Sequence, residues 1–316
     1  MVSVVIPVFR NEENIQDLLA CLNSTCLSLT CSHEVVFVVD GSPDRSEQLL
    51  REALPTCTFP SQLITLSRNF GAFNAIRAGM SVAKGDIFVV VAADLQEPPE
   101  IIPDFIQALS GGQHDVCVGR RVGRDESLSK RVPSKVFWKL YRTLVQHEMP
   151  PGGLDVFGCN RSVRDVLLSL HEANSSLVGQ LIWTGFRRIE VPYKRLRREA
   201  GKSGWTFRKK WKYMSDSIYS FTDFPIRLLT TTGGIGMFLV ASAATVIFTG
   251  WAAGAVSVAG YTPIMLSILF FAFANFFGLG IVGNYVWRGF ENSKQRPLHI
   301  IEGQTEFVGS QQDGTL

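Results

Sequence analysis

Between Leu228 and Trp287 the sequence has no Asp, Glu, Lys or Arg. A stretch of that length without charge excludes a solvated surface segment and points to membrane spans rather than an apolar core. Net charge is also scarce. Lys and Arg number 31 against 28 Asp and Glu, leaving +3, too little to argue for a nucleic-acid partner. Cysteine is sparse, and Cys21, Cys26 and Cys31 repeat at a spacing that fits no zinc site. Free thiols in a reducing compartment are the expectation. Met1 leads straight into the apolar run Val2 to Ile6, with no basic stretch or cleavage site before it, so no secretory signal is expected.

What is present before Leu228 reads as an α/β protein. Val2–Val8, Glu34–Val39, Leu63–Leu66, Asp86–Ala92 and Val116–Gly119 are short β-branched or Val-rich runs. Continuous apolar runs of this kind suit strands buried on both faces. Helical spacing occupies Glu12–Leu22, Ser46–Leu54, Ala72–Ala83 and Pro103–Leu109 between them. This alternation predicts a mostly parallel, doubly wound sheet. Ligands of such sheets sit beyond the C-terminal strand ends, so the residues after each strand are the candidate site.

The C-terminal third has a different pattern. From Arg187 to Lys212 basic residues crowd together, with Glu190 and Glu199 the only acids among them. Trp205, Trp211, Met214, Ile218 and Phe221 interleave with that block, as in a helix lying in a membrane interface. An ordinary surface helix packed on the domain is the competing expectation. Two apolar segments follow, Leu229–Gly250 and Pro263–Trp287, each long enough to cross a bilayer. Arg227 before the first and Arg288 after the second place both flanks on the cytoplasmic side. The tail from Gly303 is polar and is expected to be disordered.

Four clusters of polar and turn-forming residues follow predicted strands: Pro7 to Glu13, Asp40 to Asp44, Ser67 to Gly71, and Ala93 to Glu100. One cluster alone would be turn chemistry. Four in succession collect acidic and amide groups at one sheet edge. The stretches Asp94-Leu95-Gln96-Glu97-Pro98-Pro99-Glu100 and Ser67-Arg68-Asn69-Phe70-Gly71, with the two C-terminal spans, resemble the family-2 glycosyltransferases. Within them the resemblance is to the polyprenyl-phosphate sugar transferases, and it runs from Val2 to Glu302. Gly201-Lys202-Ser203 and Arg296-Pro297-Leu298 add to it.

That resemblance implies a Rossmann-like nucleotide-sugar domain of the GT-A type. It implies Mg2+ or Mn2+ held by Asp94 and Gln96. The acidic residue often found two positions before Asp94 is Ala92 here, which predicts a weaker cation site. The bland alternative for Asp94 is a helix cap. Pro7 and Phe9 would line the base pocket, and Asp40 would recognise base or ribose, although its usual acidic neighbour is Val39. The family's first-loop glutamate falls on Glu12 in one register and on Asn11 in the other. Arg121 would lie near the sugar phosphate, and Arg131 is a further phosphate candidate. Asp155 would stand by the acceptor as base or orienting group. A phosphate monoester has a second pKa near 6 and needs little activation. Arg198, Lys202 and Ser203 match the segment that closes over phosphate, where arginine can make paired contacts.

The expected function is inverting hexosyl transfer from a nucleoside diphosphate sugar, by resemblance a UDP-sugar, to a polyprenyl phosphate such as undecaprenyl phosphate. Residues 1–204 would form the catalytic domain, 205–227 an interfacial helix, 228–288 two transmembrane helices and 289–316 a cytoplasmic tail. The expected setting is a bacterial inner membrane, with the catalytic domain cytoplasmic. Expected partners are donor, lipid acceptor and membrane lipid but no nucleic acid, and a homo-oligomer stays open. A processive polysaccharide synthase is the alternative enzyme, yet no Gln-x-x-Arg-Trp motif occurs. A non-catalytic sugar-nucleotide sensor is the alternative of another class, motivated by Ala92 and Val39.

Overall fold

The computed structural model describes residues 1–122, 137–139, 141–143, 145–150, 153–196, 207–253 and 261–309. The side chains of residues 207–210 and of several positions in the two longest helices lie outside that set. A mixed sheet of eight strands organises the described part. Its strands are β1 (Val2–Val8), β2 (His33–Val39), β3 (Ser61–Leu66), β4 (Ile87–Val90), β5 (Val116–Arg121), β6 (Phe157–Asn160), β7 (Arg188–Tyr193) and β8 (Ile301–Phe307). Their order across the sheet is β7-β5-β6-β4-β1-β2-β3-β8. The inner strands β4, β1, β2 and β3 are parallel. That is half of a doubly wound sheet, with a reversal of strand order between β1 and β4.

Alternation along the strands decides which face each residue serves. Val4, Ile6 and Val8 of β1 join one core with Val35, Phe37 and Val39 of β2. Helix α1 (Ile15–Ser28) covers that core with Ile15, Leu18, Leu19 and Leu22, the spacing of one helical stripe. α2 (Ser46–Ala53) and α4 (Ile101–Ser110) lie on the same side, contributing Leu50, Ile101, Ile102 and Phe105. Val5, Val36 and Val38 point to the opposite face. There they meet α3 (Ala72–Val82), α5 (Arg161–Ser169) and α6 (Leu177–Trp183). α3 comes close to the sheet because Gly79 has no side chain: a Cβ there would sit 2.5 Å from Val5 Cγ1 and 2.9 Å from Val38 Cγ2.

Three features depart from the sequence expectations. First, β6 is antiparallel to both β4 and β5, so the sheet is parallel only in part. Second, the C-terminal segment does not trail away at Gly303. β8 pairs antiparallel with β3, from Ser61 opposite Phe307 to Leu66 opposite Ile301. Ile301, Gly303, Thr305 and Phe307 alternate with the exposed Glu302, Gln304 and Glu306, the period of a one-sided edge strand. A catalytic domain closing at residue 204 therefore omits one of its strands. Third, α7 (Phe207–Phe221) turns its apolar side to the protein. Met214 and Ser217 are buried, Ile218 packs on the core, and Phe221 lies against Gly179. Among the described side chains of α7, Trp211 is the one large apolar residue that is freely exposed. The competing expectation of a packed surface helix fits this face.

α8 (Phe224–Ala252) and α9 (Tyr261–Ser293) contain 29 and 33 residues. Among the described residues no helix is long and apolar enough to cross a membrane. The base of α9 is fastened to the α/β domain. Arg288 donates to Asp216 Oδ1 at 2.6 Å and to the Asn174 carbonyl at 2.9 Å. The Ala173 amide donates to Asn292 Oδ1 at 3.1 Å.

Candidate active site

The strand-end loops form two groups on either side of the β1/β4 reversal. The first joins the loops after β1, β2 and β3. Asp40, 2% exposed, accepts the Phe70 amide at 2.7 Å on one oxygen and the Gly71 amide at 2.9 Å on the other. The Asn69 side chain donates to the Asp40 carbonyl at 3.2 Å. Burial raises the Asp40 carboxyl above its ordinary value, opposed by those two amides and by Arg68. Each oxygen thus braces the loop after β3 through one of its two acceptor positions. The loops touch at Gly41, whose φ is +55° and whose added Cβ would lie 2.5 Å from Asn69 N.

The loop after β1 is tied to the loop after β2 through its backbone. The Arg10 amide donates to Ser42 Oγ at 2.8 Å, the Asn11 amide to Ser46 Oγ at 3.1 Å, and the Glu12 amide to Asp44 Oδ2 at 3.1 Å. Burial works against ionised Asp44. Hydrogen bonds from Ser42, Ser46 and the Glu12 and Ser46 amides outweigh it and hold the carboxyl below its ordinary value. Arg10 has φ 57°, a left-handed conformation that costs a non-glycine residue energy and clusters at binding sites. A cleft of about 260 Å³ opens here, lined by Arg10, Glu12, Glu13, Pro43 and Asp44. Pro7 is half-buried at the end of β1, and Phe9 is exposed beside the Arg10 guanidinium. Glu12 pairs with Arg45 at 3.4 Å, and Asn11 accepts the Phe9 amide at 3.0 Å, so the two registers have distinct tasks.

The second group gathers the ends of β4, β5 and β7 with the segment before β6. Asp94 stands in the turn after β4, where Leu95 has φ 52°. The Gln96 amide reaches Asp94 Oδ1 at 3.4 Å. No helix begins directly after Asp94, since α4 starts at Ile101, so the cap alternative does not apply. The expectation for Gln96 changes. Its side-chain oxygen accepts the Arg195 guanidinium, and its carbonyl accepts the Leu196 amide at 2.8 Å. Arg121 pairs with Asp155. Arg195 lies 3.7 Å from Asp155, and the Tyr193 hydroxyl donates to it at 3.4 Å.

Glu97 completes this group and was not among the candidates read from sequence. It is 7% exposed, and its Oε2 is buried without a hydrogen-bond partner among the described residues. Burial pushes its carboxyl up to about 7. Asp94's charge adds to the shift, while Arg195, Arg121 and the Ala92 amide oppose it. Tyr193 and Arg195 were likewise missed as site residues. Arg195 was hidden in the basic run, and neither belongs to a motif. Arg131, Arg198, Lys202 and Ser203 lie outside the described residues. Among the described residues no three His, Cys, Asp or Glu side chains converge to hold a metal.

The chain resembles known proteins over most of its length. Residues 3–169 match the family described as Glycosyl transferase family 2. An uncharacterized glycosyltransferase of Synechocystis is 30% identical over 299 residues, covering 95% of this chain and 94% of that protein. The undecaprenyl-phosphate 4-deoxy-4-formamido-L-arabinose transferase of Pseudomonas fluorescens is 32% identical over 308 residues, covering 95% of this chain and 89% of the other. Among solved structures, glucosyl-3-phosphoglycerate synthase of Mycobacterium tuberculosis superposes with TM-score 0.47 at 14% identity, covering 69% of this chain and 78% of that one. The chain is an enzyme of glycosyltransferase family 2.

Proposed function

We propose that this glycosyltransferase moves one hexosyl unit from a nucleoside diphosphate sugar to a polyprenyl phosphate at the cytoplasmic face of a membrane, with inversion at the anomeric carbon. The carrying observation is the group Asp94, Glu97, Arg121, Asp155 and Arg195, set where loops flank the β1/β4 reversal. The names of relatives that act on undecaprenyl phosphate support the acceptor. A UDP donor rests on resemblance to bacterial members.

Phe9 and Pro7, at the end of β1, offer an apolar contact for the base beside the cleft of Arg10 and Pro43. Asp40 and Gly41 hold the loop after β3, and the remaining acceptor positions of Asp40 would recognise base or ribose. Arg121 and Arg195 present guanidiniums to phosphate oxygens, the geometry that suits them. Asp155, held between these arginines and Tyr193, orients them and the incoming phosphate. Arg131, Arg198, Lys202 and Ser203 would supply further phosphate contacts.

The residues fit a divalent cation. Asp94 offers a carboxylate, and the orphaned Glu97 oxygen is an oxygen-rich neighbour of the kind Mg2+ or Mn2+ takes. When bound, such an ion takes up charge that develops on the departing diphosphate. Direct attack by the acceptor phosphate from the opposite side gives a β-linked product from an α-linked donor.

Membrane attachment rests on the uncharged run from Leu228 to Trp287. It also rests on exposed apolar side chains along α8 and α9, among them Ile235, Phe238, Val246, Ile268, Phe270 and Leu279. At about 1.5 Å per residue their 29 and 33 residues exceed the ~30 Å hydrocarbon layer, and the apolar surface a crossing needs would come from the whole uncharged run, several of whose side chains lie outside the described residues. Arg227 and Arg288 at their near ends fit a hairpin with both flanks cytoplasmic. The acceptor's tail never has to leave the bilayer when the site stands at its surface.

The test offers the purified protein a UDP-sugar with three acceptors: a polyprenyl phosphate, the matching polyprenol, and water. Transfer to the phosphate alone is expected. Equal transfer to the polyprenol, or hydrolysis only, refutes the assignment.

A further inference from the structure

The described site has more carboxylate than the sequence motif assigns. Gln96, expected as the partner of Asp94, has its side-chain oxygen on Arg195. Position 92 carries only a methyl group. Asp94 alone would leave an ion with a single protein carboxylate. Glu97 lies three residues beyond Asp94, yet the turn through Leu95 brings its carboxylate back toward the strand end. The Ala92 backbone N–H faces it, and Asp94 is near enough to act on its charge. One of its oxygens is sealed from solvent and takes no hydrogen bond among the described residues.

A buried carboxylate oxygen without a donor is costly, because the hydration it loses on burial is not replaced. Such a group persists where something absent from the polypeptide satisfies it. Arg121 and Arg195 compensate part of the charge through space. Both are also tied to Asp155, and neither donates a hydrogen bond to Oε2.

We infer that Glu97 is a ligand of the divalent cation, delivering to the place beside Ala92 the second carboxylate that residue 92 does not supply. This rests on the proposed reading of the site as a cation-assisted transferase. It assigns the protein's share of the coordination to Asp94 and Glu97. Gln96 becomes a positioning residue that holds Arg195.

The experiment follows Mn2+ binding to the full-length protein in detergent micelles by the electron paramagnetic resonance signal of free Mn2+, with and without UDP. Wild-type protein should take up Mn2+. Glu97→Gln, nearly the same in volume, should bind it at least about tenfold more weakly, a loss typical of disturbed metal shells. Its UDP affinity without metal should be unchanged. Adding Ala92→Asp to Glu97→Gln should recover much of the loss. Glu97→Asp keeps the charge and shortens the reach, so ligation requires that it too bind Mn2+ more weakly. Wild-type affinity in either Glu97→Gln or Glu97→Asp overturns the inference while leaving the transferase reading intact. Failure of the wild-type protein to bind Mn2+ under both conditions overturns the cation reading and the inference together. Circular dichroism checks folding, and a Glu97→Gln protein that does not fold leaves Glu97→Asp to decide.

Discussion

Replacing Gly41 by alanine should loosen the donor side of the site without touching any group proposed to contact the donor. Gly41 has φ +55°, and the alanine Cβ would lie 2.5 Å from Asn69 N and 2.8 Å from Arg68 Cα. Both are backbone atoms, so no side chain can swing aside. The left-handed conformation costs an alanine about 1–2 kcal/mol. Overlap with fixed neighbours adds about 1–3 kcal/mol. A total near 2–5 kcal/mol is therefore expected if the loop stays in place. The chain can lower that cost only by parting the loops after β2 and β3. That would stretch the Asp40 bonds to the Phe70 and Gly71 amides, now 2.7 and 2.9 Å. Thermal unfolding in detergent reads the stability, and isothermal titration with UDP reads the site. The expected outcome is a lower midpoint together with weaker UDP binding. A variant with wild-type midpoint and affinity would show that the loops are not braced through this contact.

Asp94→Ala should reduce transfer by about 10²-fold or more, the scale for groups acting on transition-state charge, with the protein still folded. Near-normal turnover at saturating donor would refute the role. Excess EDTA should abolish transfer, and unchanged turnover would refute the need for a cation. Replacing residues 224–284 by a short flexible linker should spare the sheet, because Tyr285 and Arg288 lie against Thr222 and Ser220 and β8 is kept. That protein should bind UDP and glycosylate a short, water-soluble prenyl phosphate, yet fail with a long polyprenyl phosphate in liposomes. Equal loss with both acceptors would show that the long helices shape the site itself.

The parallel half of the sheet was legible because β1, β2 and β4 are Val- and Ile-rich runs buried on both faces. The C-terminal strand ends then singled out the Asp40 and Asp94 loops. β8 was hidden by its composition: Glu302, Gln304 and Glu306 face outward, so its alternation reads as a polar tail until its partner is known. The antiparallel entry of β6 has no local signal, since pairing direction is set by where the chain returns. α7 carries aromatics among basic residues, and that pattern is the same whether the apolar side meets lipid or protein. In the site, the tasks of Asp40 and Gln96 depend on partners 30 and 99 residues away, the Phe70 amide and Arg195. Motif spacing could place these side chains but could not show which protein groups they bind. Glu97 was visible within the motif, yet only burial and an unmatched oxygen distinguish it from an ordinary turn carboxylate.

The most direct measurement is a mass spectrum of the lipid formed when the full-length protein, embedded in bilayer nanodiscs, meets undecaprenyl phosphate, Mn2+ and a panel of UDP- and GDP-sugars. One new lipid should appear, heavier than the acceptor by a single hexosyl unit and made from one preferred donor. A ladder of added units would indicate a processive synthase. Free sugar and nucleotide with unchanged lipid, or no consumption of any donor, would contradict transfer to a polyprenyl phosphate.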